Sequence, residues 1–472
     1  MSDLRDWLAE AEGLGEVRVL RGIPWDLDMG AITELVGRQR ERPALLFDDI
    51  PGYPSGHRVL TNPVGSWSRF ALAMGLPPDL GPIQILQEWR SRSKEMRLLP
   101  PRFVAGGPVM ENVLQGEEVD LLKFPVPKWH EKDGGRFIGT GDVIITRQRD
   151  GDWVNLGTYR VMVHDRNRAG LMVVPIHHGY WHMQEWFARG EPMPVAIVVG
   201  MDPLLFLVSA SEHPAGTCEY DWAGAIRGEP VEVMPGPITG LPIPAGAEIV
   251  LEGFIDPQER LPEGPFGEFT GYYAGGVRPQ PVVRVEAVYY RNNPIILGVP
   301  PLKPPNVTTQ YRDIVVRSSL LWDALEASGV PDVAGVWCHI AHFIIAIAVR
   351  QRYPGHAKQA GRIAAACGPG MNRYFVVVDE DIDVTDLDEV LWAMCTRVDP
   401  DRDIEILPAL ASTALDPMIP PERKAHPVAP RVVIDATRPY EWRDRFPEVV
   451  ASSAELKQQV LSRWGEALKG VL

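Results

Sequence analysis

Cysteine is scarce: the 472 residues hold four, at Cys218, Cys338, Cys367 and Cys395, with no CxxC pair, which excludes a disulfide framework and a zinc ribbon. Long apolar runs are missing as well. The two most apolar stretches, Val195 to Val208 and His339 to Val349, are interrupted by Asp202 and Pro203 or by His339 and His342, and fall short of the roughly 20 residues a membrane span needs. Positive charge is in deficit, with 47 Lys and Arg against 62 Asp and Glu for a net charge of -15, so nucleic acid and anionic membranes are repelled rather than attracted. The opening MSDLRDWLAEAEGLGEV has neither a basic region nor an apolar core behind it, so no export is expected and a reducing cytoplasm fits. No GxGxxG follows a strand and no GxxxxGK[ST], GxSxG or HExxH occurs, while Gly368-Pro369-Gly370 reads as a turn. Rossmann, P-loop, serine-hydrolase and zincin chemistry therefore lack their signatures.

What is present is ordinary globular composition, 45% apolar and 23% charged, in a chain long enough for two or three domains. Up to about residue 120 the pattern is mixed α/β: Leu4, Trp7, Leu8 and Leu14 suggest an opening helix, Ile32, Leu35 and Val36 a second, and Pro43 to Asp48 a buried strand. From 121 to 305 the texture is β-rich, with strands expected at Asp142 to Thr146, Trp153 to Val163, Gly170 to Val174, Val195 to Gly200, Ala247 to Gly253, Val282 to Tyr290 and Ile295 to Val299, packed as a barrel or sandwich. Residues 306 to 450 return to α/β, with a helix expected over Tyr311 to Ser328, a strand at Tyr374 to Asp379 and a helix over Asp386 to Thr396. A final amphipathic helix, Ala454 to Leu468 within 451 to 472, carries Leu456, Val460 and Leu461 on one side and could clasp another subunit.

Two constellations carry chemistry. Asn155 and Arg160 fall on one expected strand, His177 follows the next, and Glu219 stands in Thr217-Cys-Glu-Tyr-Asp; an amide oxygen, an imidazole and a carboxylate suit a divalent ion. A rival set, His178, His182 and Glu185, would share a helical face and points instead to a metal-dependent hydrolase. In Glu263-Gly-Pro-Phe-Gly-Glu268, two Gly and one Pro exclude a regular helix, so both carboxylates can converge; one is then held protonated as an acid/base group, with Arg160 able to keep the other ionised. On residue types alone, a structural turn with solvated acids explains the segment equally well.

The ordered motifs Asn155-Leu-Gly-Thr-Tyr-Arg160, Pro175-Ile-His177, Glu219-Tyr-Asp-Trp-Ala-Gly, Glu263 to Glu268 followed by Thr-Gly-Tyr-Tyr, Asp379 to Asp383 and Ile434 to Thr437 resemble the UbiD-like decarboxylases over nearly the whole chain. That resemblance implies an N-terminal α/β domain (1–120), a central split β-barrel flavin-binding domain (121–305), a C-terminal α/β oligomerisation domain (306–450) and a terminal helix. It implies reversible decarboxylation of an aromatic, heteroaromatic or α,β-unsaturated acid through a covalent adduct with prenylated FMN, made by a partner flavin prenyltransferase, in a homodimer or larger homo-oligomer. Asn155, His177 and Glu219 would bind Mn2+, with K+ near Ser209-Ala-Ser211, and Thr158, Tyr159 and Arg160 would join them around the cofactor. Glu268 would donate the proton, supported by Arg160 and Glu263, and Ile176, Phe269, Thr413 and Leu415 would line the substrate pocket. Lys358 is a candidate for a basic residue against the flavin phosphate. A flavin carrier without chemistry is the other alternative that the sequence leaves open.

Overall fold

The computed structural model describes residues 3–39, 42–305, 311–367 and 370–468; Gly368, Pro369 and the expected domain boundary at 306 lie outside the described residues. The opening helix Leu4–Gly13 is capped by Asp3, whose side chain accepts from the Arg5 and Asp6 amides, and buries Leu4, Trp7, Leu8 and Ala11 on one stripe. It covers a four-stranded sheet in the order Val17–Arg21, Ala44–Asp48, Arg58–Thr61, Ile295–Gly298. The last of these strands, which reads in sequence as part of the β-rich middle, runs parallel to Arg58–Thr61 and ties the middle of the chain to its start.

The central region is a curled half-barrel. Its nine-stranded antiparallel sheet runs Arg136–Gly139, Val161–Val163, Arg168–Leu171, Arg278–Tyr290, Ile249–Glu263, Met193–Val199, Asp142–Arg147, Val154–Gly157, with Asn112–Gln115 paired to Arg278–Tyr290 off that path. The expected strand Trp153 to Val163 is two strands. Gly157 ends its pairing opposite Ile144, whereas Val161 pairs with Gly139 and Leu171, so Thr158, Tyr159 and Arg160 cross from one edge of the sheet toward the other. Arg160 is thus in a break rather than on the strand of Asn155, and a break is where backbone and side chains are free to face a ligand.

The C-terminal unit is a five-stranded mixed sheet ordered Val333–His339, Ile344–Val349, Tyr374–Asp379, Val428–Ala436, Ile404–Ala411. Helix Leu387–Arg397 starts on Asp386, which caps the amides of Asp388 and Glu389. The helical segment expected over 311–328 opens with a π turn, Asp313–Arg317, before the α-helix Ser318–Ala327. Within that helix Leu325 is buried while Leu320, five residues earlier and so on a different face, points outward. The terminal helix Ala454–Trp464 leaves Leu456, Val460, Leu461 and Trp464 exposed. Among the described residues, no helix is long and apolar enough to cross a membrane.

Candidate active site

The site grows out of the break at 158–160. Tyr159 is buried, and its ring lies against two glycines: a Cβ on Gly157 would sit 2.3 Å from the Tyr159 hydroxyl, and one on Gly179 would sit 2.7 Å from the ring. Only glycine leaves room for that approach. The hydroxyl accepts from the Gly179 amide at 3.3 Å, and the ring centroid is 5.2 Å from that of His177. Burial pushes the phenol up to about 12, with a hydrogen bond to Asn155 acting the other way and the charge of Glu219 adding to the rise. Tyr159 therefore neighbours Asn155, His177 and Glu219.

Glu219 is buried at the start of helix Glu219–Arg227 and accepts from the Leu156 amide at 2.7 Å. Burial raises its carboxyl to about 7. Among the described residues Ser209 Oγ is buried without a hydrogen-bond partner, and burial lowers the pKa of His177, leaving a neutral imidazole able to ligate. Helix His178–Ala188 begins at His177, so its N-terminus adds partial positive charge beside the same group. An amide oxygen, a carboxylate and an imidazole near a helix N-terminus are donors that could hold a divalent ion.

On the other side of the same break stand the acids. Glu263 closes strand Ile249–Glu263, and Gly264, at φ 85°, turns the chain where a side chain would be strained. The loop returns so that Arg160 binds Glu263 through Nε and Nη2, both at 2.8 Å, and Glu268 through Nη1 at 2.7 Å. Burial opposes the charge on Arg160, but its bonds to Glu263 and the charges of both acids outweigh that and raise its pKa. Glu268 shifts upward, first through burial and also through the charge of Glu263, against the pull of Arg160 and Lys424. The arrangement is one carboxyl biased toward its protonated form beside a guanidinium that a second carboxylate fixes in place.

Of the residues read as pocket lining, Phe269 is half-buried next to Glu268, Thr413 and Leu415 are half-buried in the loop that follows strand Ile404–Ala411, and Ile176 is exposed beside His177. Thr158 is half-buried in the break itself. Lys358 is elsewhere: its Nζ donates to the carbonyl of Arg402 rather than to the Asn155 group. The rival hydrolase set does not meet. His182 is buried with Nδ1 3.0 Å from Thr146 Oγ1 and falls to about 4 through burial, His178 packs edge-on against Trp153, and Glu185 accepts from the Arg149 amide. Lys424, which carried no motif in the sequence, donates from the C-terminal domain to the Ala274 carbonyl at 2.9 Å and so reaches the loop of Glu268.

Residues 7–89, 102–304 and 314–436 match the N-terminal, Rift-related and C-terminal domains of 3-octaprenyl-4-hydroxybenzoate carboxy-lyase, UbiD. The chain is 32% identical to a phenolic acid decarboxylase of Escherichia coli O157:H7, over 100% of this chain and 98% of the relative. It is 34% identical to a pyrrole-2-carboxylic acid decarboxylase of Pseudomonas aeruginosa, over 93% of each. In structure it is similar to the UbiD-class enzyme HmfF of Pelotomaculum thermopropionicum in complex with FMN, at TM-score 0.86 and 30% identity over 97% of this chain and 98% of that one. An evolved dimeric form of the same enzyme in complex with prenylated FMN gives TM-score 0.82 and 28% identity over 97% and 98%. With all three domains matched in order and the curated relatives aligned along nearly their entire length, the chain belongs to the UbiD family of carboxy-lyases.

Proposed function

We propose that this protein is a flavin-dependent, reversible, non-oxidative decarboxylase of an aromatic, heteroaromatic or α,β-unsaturated carboxylic acid, using prenylated FMN together with Mn2+ and K+. The observation that carries the reading is the double use of one break in the sheet: Tyr159 gathers a cation-seeking group and Arg160, the next residue, gathers a carboxyl pair. Asn155, His177 and Glu219 would hold Mn2+ against the flavin phosphate. The Ser209 hydroxyl and nearby backbone oxygens would serve K+; the Ala210 carbonyl among them already accepts from Arg312.

Prenylated FMN supplies, when bound, the electron sink that an aryl or vinyl carbanion lacks. The rest falls to the chain. Arg160, fixed by Glu263, orients the substrate carboxylate; Glu268 holds a proton and delivers it to the carbon that CO2 has left. By microscopic reversibility, high CO2 drives carboxylation. A flavin prenyltransferase would supply the cofactor, and the four unpaired cysteines agree with a reducing cytoplasm. The exposed stripe Leu456, Val460, Leu461 and Trp464 supports a homodimer or larger assembly, which size-exclusion chromatography with light scattering will report.

The test is co-expression with a flavin prenyltransferase followed by a screen of aryl, heteroaryl and acrylic acids for CO2 release. The expected protein is coloured, phosphate-bearing and active on at least one ring class, and Glu268→Gln retains flavin while losing turnover. A colourless, phosphate-free protein refutes the reading, and unchanged turnover in Glu268→Gln removes that residue from its role.

A further inference from the structure

Every turnover of a decarboxylase consumes a proton: in RCO2− + H+ → RH + CO2 a carbon–carbon bond breaks, a carbon–hydrogen bond forms, and Glu268 is left ionised once it has given its hydrogen away. The acid has to be recharged from water before the next turnover, although little of Arg160, Glu263 or Glu268 reaches solvent. Arg160 cannot supply the proton, because a guanidinium keeps its own at any working pH. Lys424 reaches the loop from the other domain, but its ammonium donates to the Ala274 carbonyl. The remaining side of the acid pair is the one behind Glu263.

That side holds a histidine. Strand Val161–Val163, which starts one residue after Arg160, turns at His164 and returns as strand Arg168–Leu171, whose Gly170 faces the imidazole. A Cβ on Gly170 would lie 2.8 Å from His164 Nε2 and 3.4 Å from Glu263 Cγ, so the ring nitrogen and the acid border one space the size of a methyl group. Gly170 stands inside a strand and has no positive φ, so its backbone does not call for glycine; the close approach of the two side chains does. His164 Nε2 is buried without a hydrogen-bond partner among the described residues, while the residue as a whole is only half-buried. The imidazole therefore spans the distance from solvent to the inner acid. Its charged neighbours are Asp165 and Arg168 from its own turn, paired with each other at 2.7 Å, and Glu263 from strand Ile249–Glu263. Burial lowers the pKa of His164, which eases the release of a proton inward. A leucine would cover Gly170 without leaving a buried polar atom unsatisfied, so packing does not account for the imidazole.

We propose that His164 is the proton-entry group of this site: its imidazolium gives the Nε2 proton to Glu263 across the space in front of Gly170 and takes a replacement from hydronium or a buffer acid at the surface. The proton goes on from Glu263 to the ionised Glu268, since an oxygen of each acid binds one of the two adjacent terminal nitrogens, Nη2 and Nη1, of the same guanidinium. Glu263 returns to its carboxylate form and holds Arg160 as before. His164 acts through Glu263 and is a positioning residue for the proton. The inference rests on the decarboxylase reading and adds to it the way the proton donor is recharged.

The experiment measures kcat and kcat/KM of the prenylated-FMN enzyme, wild type and His164→Ala, on an acid it decarboxylates, over a series of imidazole buffer concentrations and with flavin content checked by absorbance. Recharging follows the departure of CO2, so it enters kcat and not kcat/KM. At low buffer kcat of His164→Ala is expected to fall at least about tenfold, the scale of a lost proton-transfer group, while kcat/KM stays within about threefold. Added imidazole should restore kcat in the variant and leave the wild type unchanged. Gly170→Ala, whose Cβ would sit 2.8 Å from Nε2, should show the same loss confined to kcat. An unchanged kcat in both variants overturns the inference, as does an equal loss in kcat and kcat/KM that imidazole does not relieve, which would mark a packing role. If His164→Ala does not fold, His164→Gln, which has no titratable group, takes its place beside Gly170→Ala. Wild-type turnover with buffer-independent, fully active variants sinks this inference alone. A flavin-loaded enzyme that releases CO2 from no aryl, heteroaryl or acrylic acid sinks the decarboxylase reading first and this inference with it.

Discussion

Replacing Arg160 by methionine keeps much of the side chain's length and deletes one charge and three hydrogen bonds, two to Glu263 and one to Glu268. The side chains involved are 13%, 1% and 15% exposed, so solvent screens little of the loss. Stripping the cation from a buried pair costs about 3–5 kcal/mol, because uncompensated carboxylate is left behind. The variant can relieve that penalty by binding a proton between the two carboxylates. The sign follows: the folded variant holds protons more tightly than the unfolded chain, so its deficit is small at low pH and grows as pH rises. With several domains a single unfolding free energy is not defined, so the observable is the melting temperature of the transition that includes the central domain. At about 2–4 °C per kcal/mol, a 3 kcal/mol loss lowers Tm by roughly 6–12 °C at pH 8, and by less than half of that at pH 5. Circular dichroism melts of wild type, Arg160→Met and Arg160→Lys at both pH values provide the assay, and decarboxylation should fall by at least about 10³-fold in Arg160→Met. An equal drop at pH 5 and pH 8, or none at either, would show that the guanidinium charge does not hold the acids.

In the wild type, burial shifts Glu268 upward, so kcat/KM is expected to decline as pH rises through that group, and a flat profile would contradict its role. Because Glu219 titrates near 7 without a cation, protons compete with Mn2+; affinity measured by calorimetry on cofactor-free protein should weaken about tenfold per unit below pH 7, whereas pH-independent binding would place the ion elsewhere. Gly179→Ala puts a Cβ 2.7 Å from the Tyr159 ring, so the purified protein should lose bound manganese and flavin by elemental analysis and absorbance, with full retention counting against the gathering role of Tyr159. His182→Leu removes a single hydrogen bond to Thr146, so turnover should stay within a few-fold of wild type, an effect on the scale of about 1 kcal/mol; complete loss would revive the hydrolase set.

What the sequence shows plainly is local. Glu263 to Glu268 announces its turn because Gly264 and Pro265 forbid a helix, and the opening helix announces itself through Leu4, Trp7 and Leu8 at helical spacing. The parallel pairing of Ile295–Gly298 with Arg58–Thr61 has no local signal, since nothing in either tetrapeptide specifies a partner so distant in the chain. The π turn Asp313–Arg317 that opens the helical segment leaves no mark in a count of apolar positions. His342 was visible only as an interruption in an apolar run; its pairing with Asp313 and stacking on Phe269 need three segments brought together by the fold. The most consequential case is the run Val154 to Val163, whose β propensity is continuous while its pairing is not: Gly157 and Val161 pair in opposite regions of the sheet, and between them Tyr159 contacts His177 while Arg160 binds Glu263 and Glu268. Tyr159 and Arg160 are consecutive, so a backbone shift that moves the metal group must move the acids too. Flavin retention and proton transfer should therefore fail together when the break is perturbed and separately when Glu268 or Glu219 is changed alone.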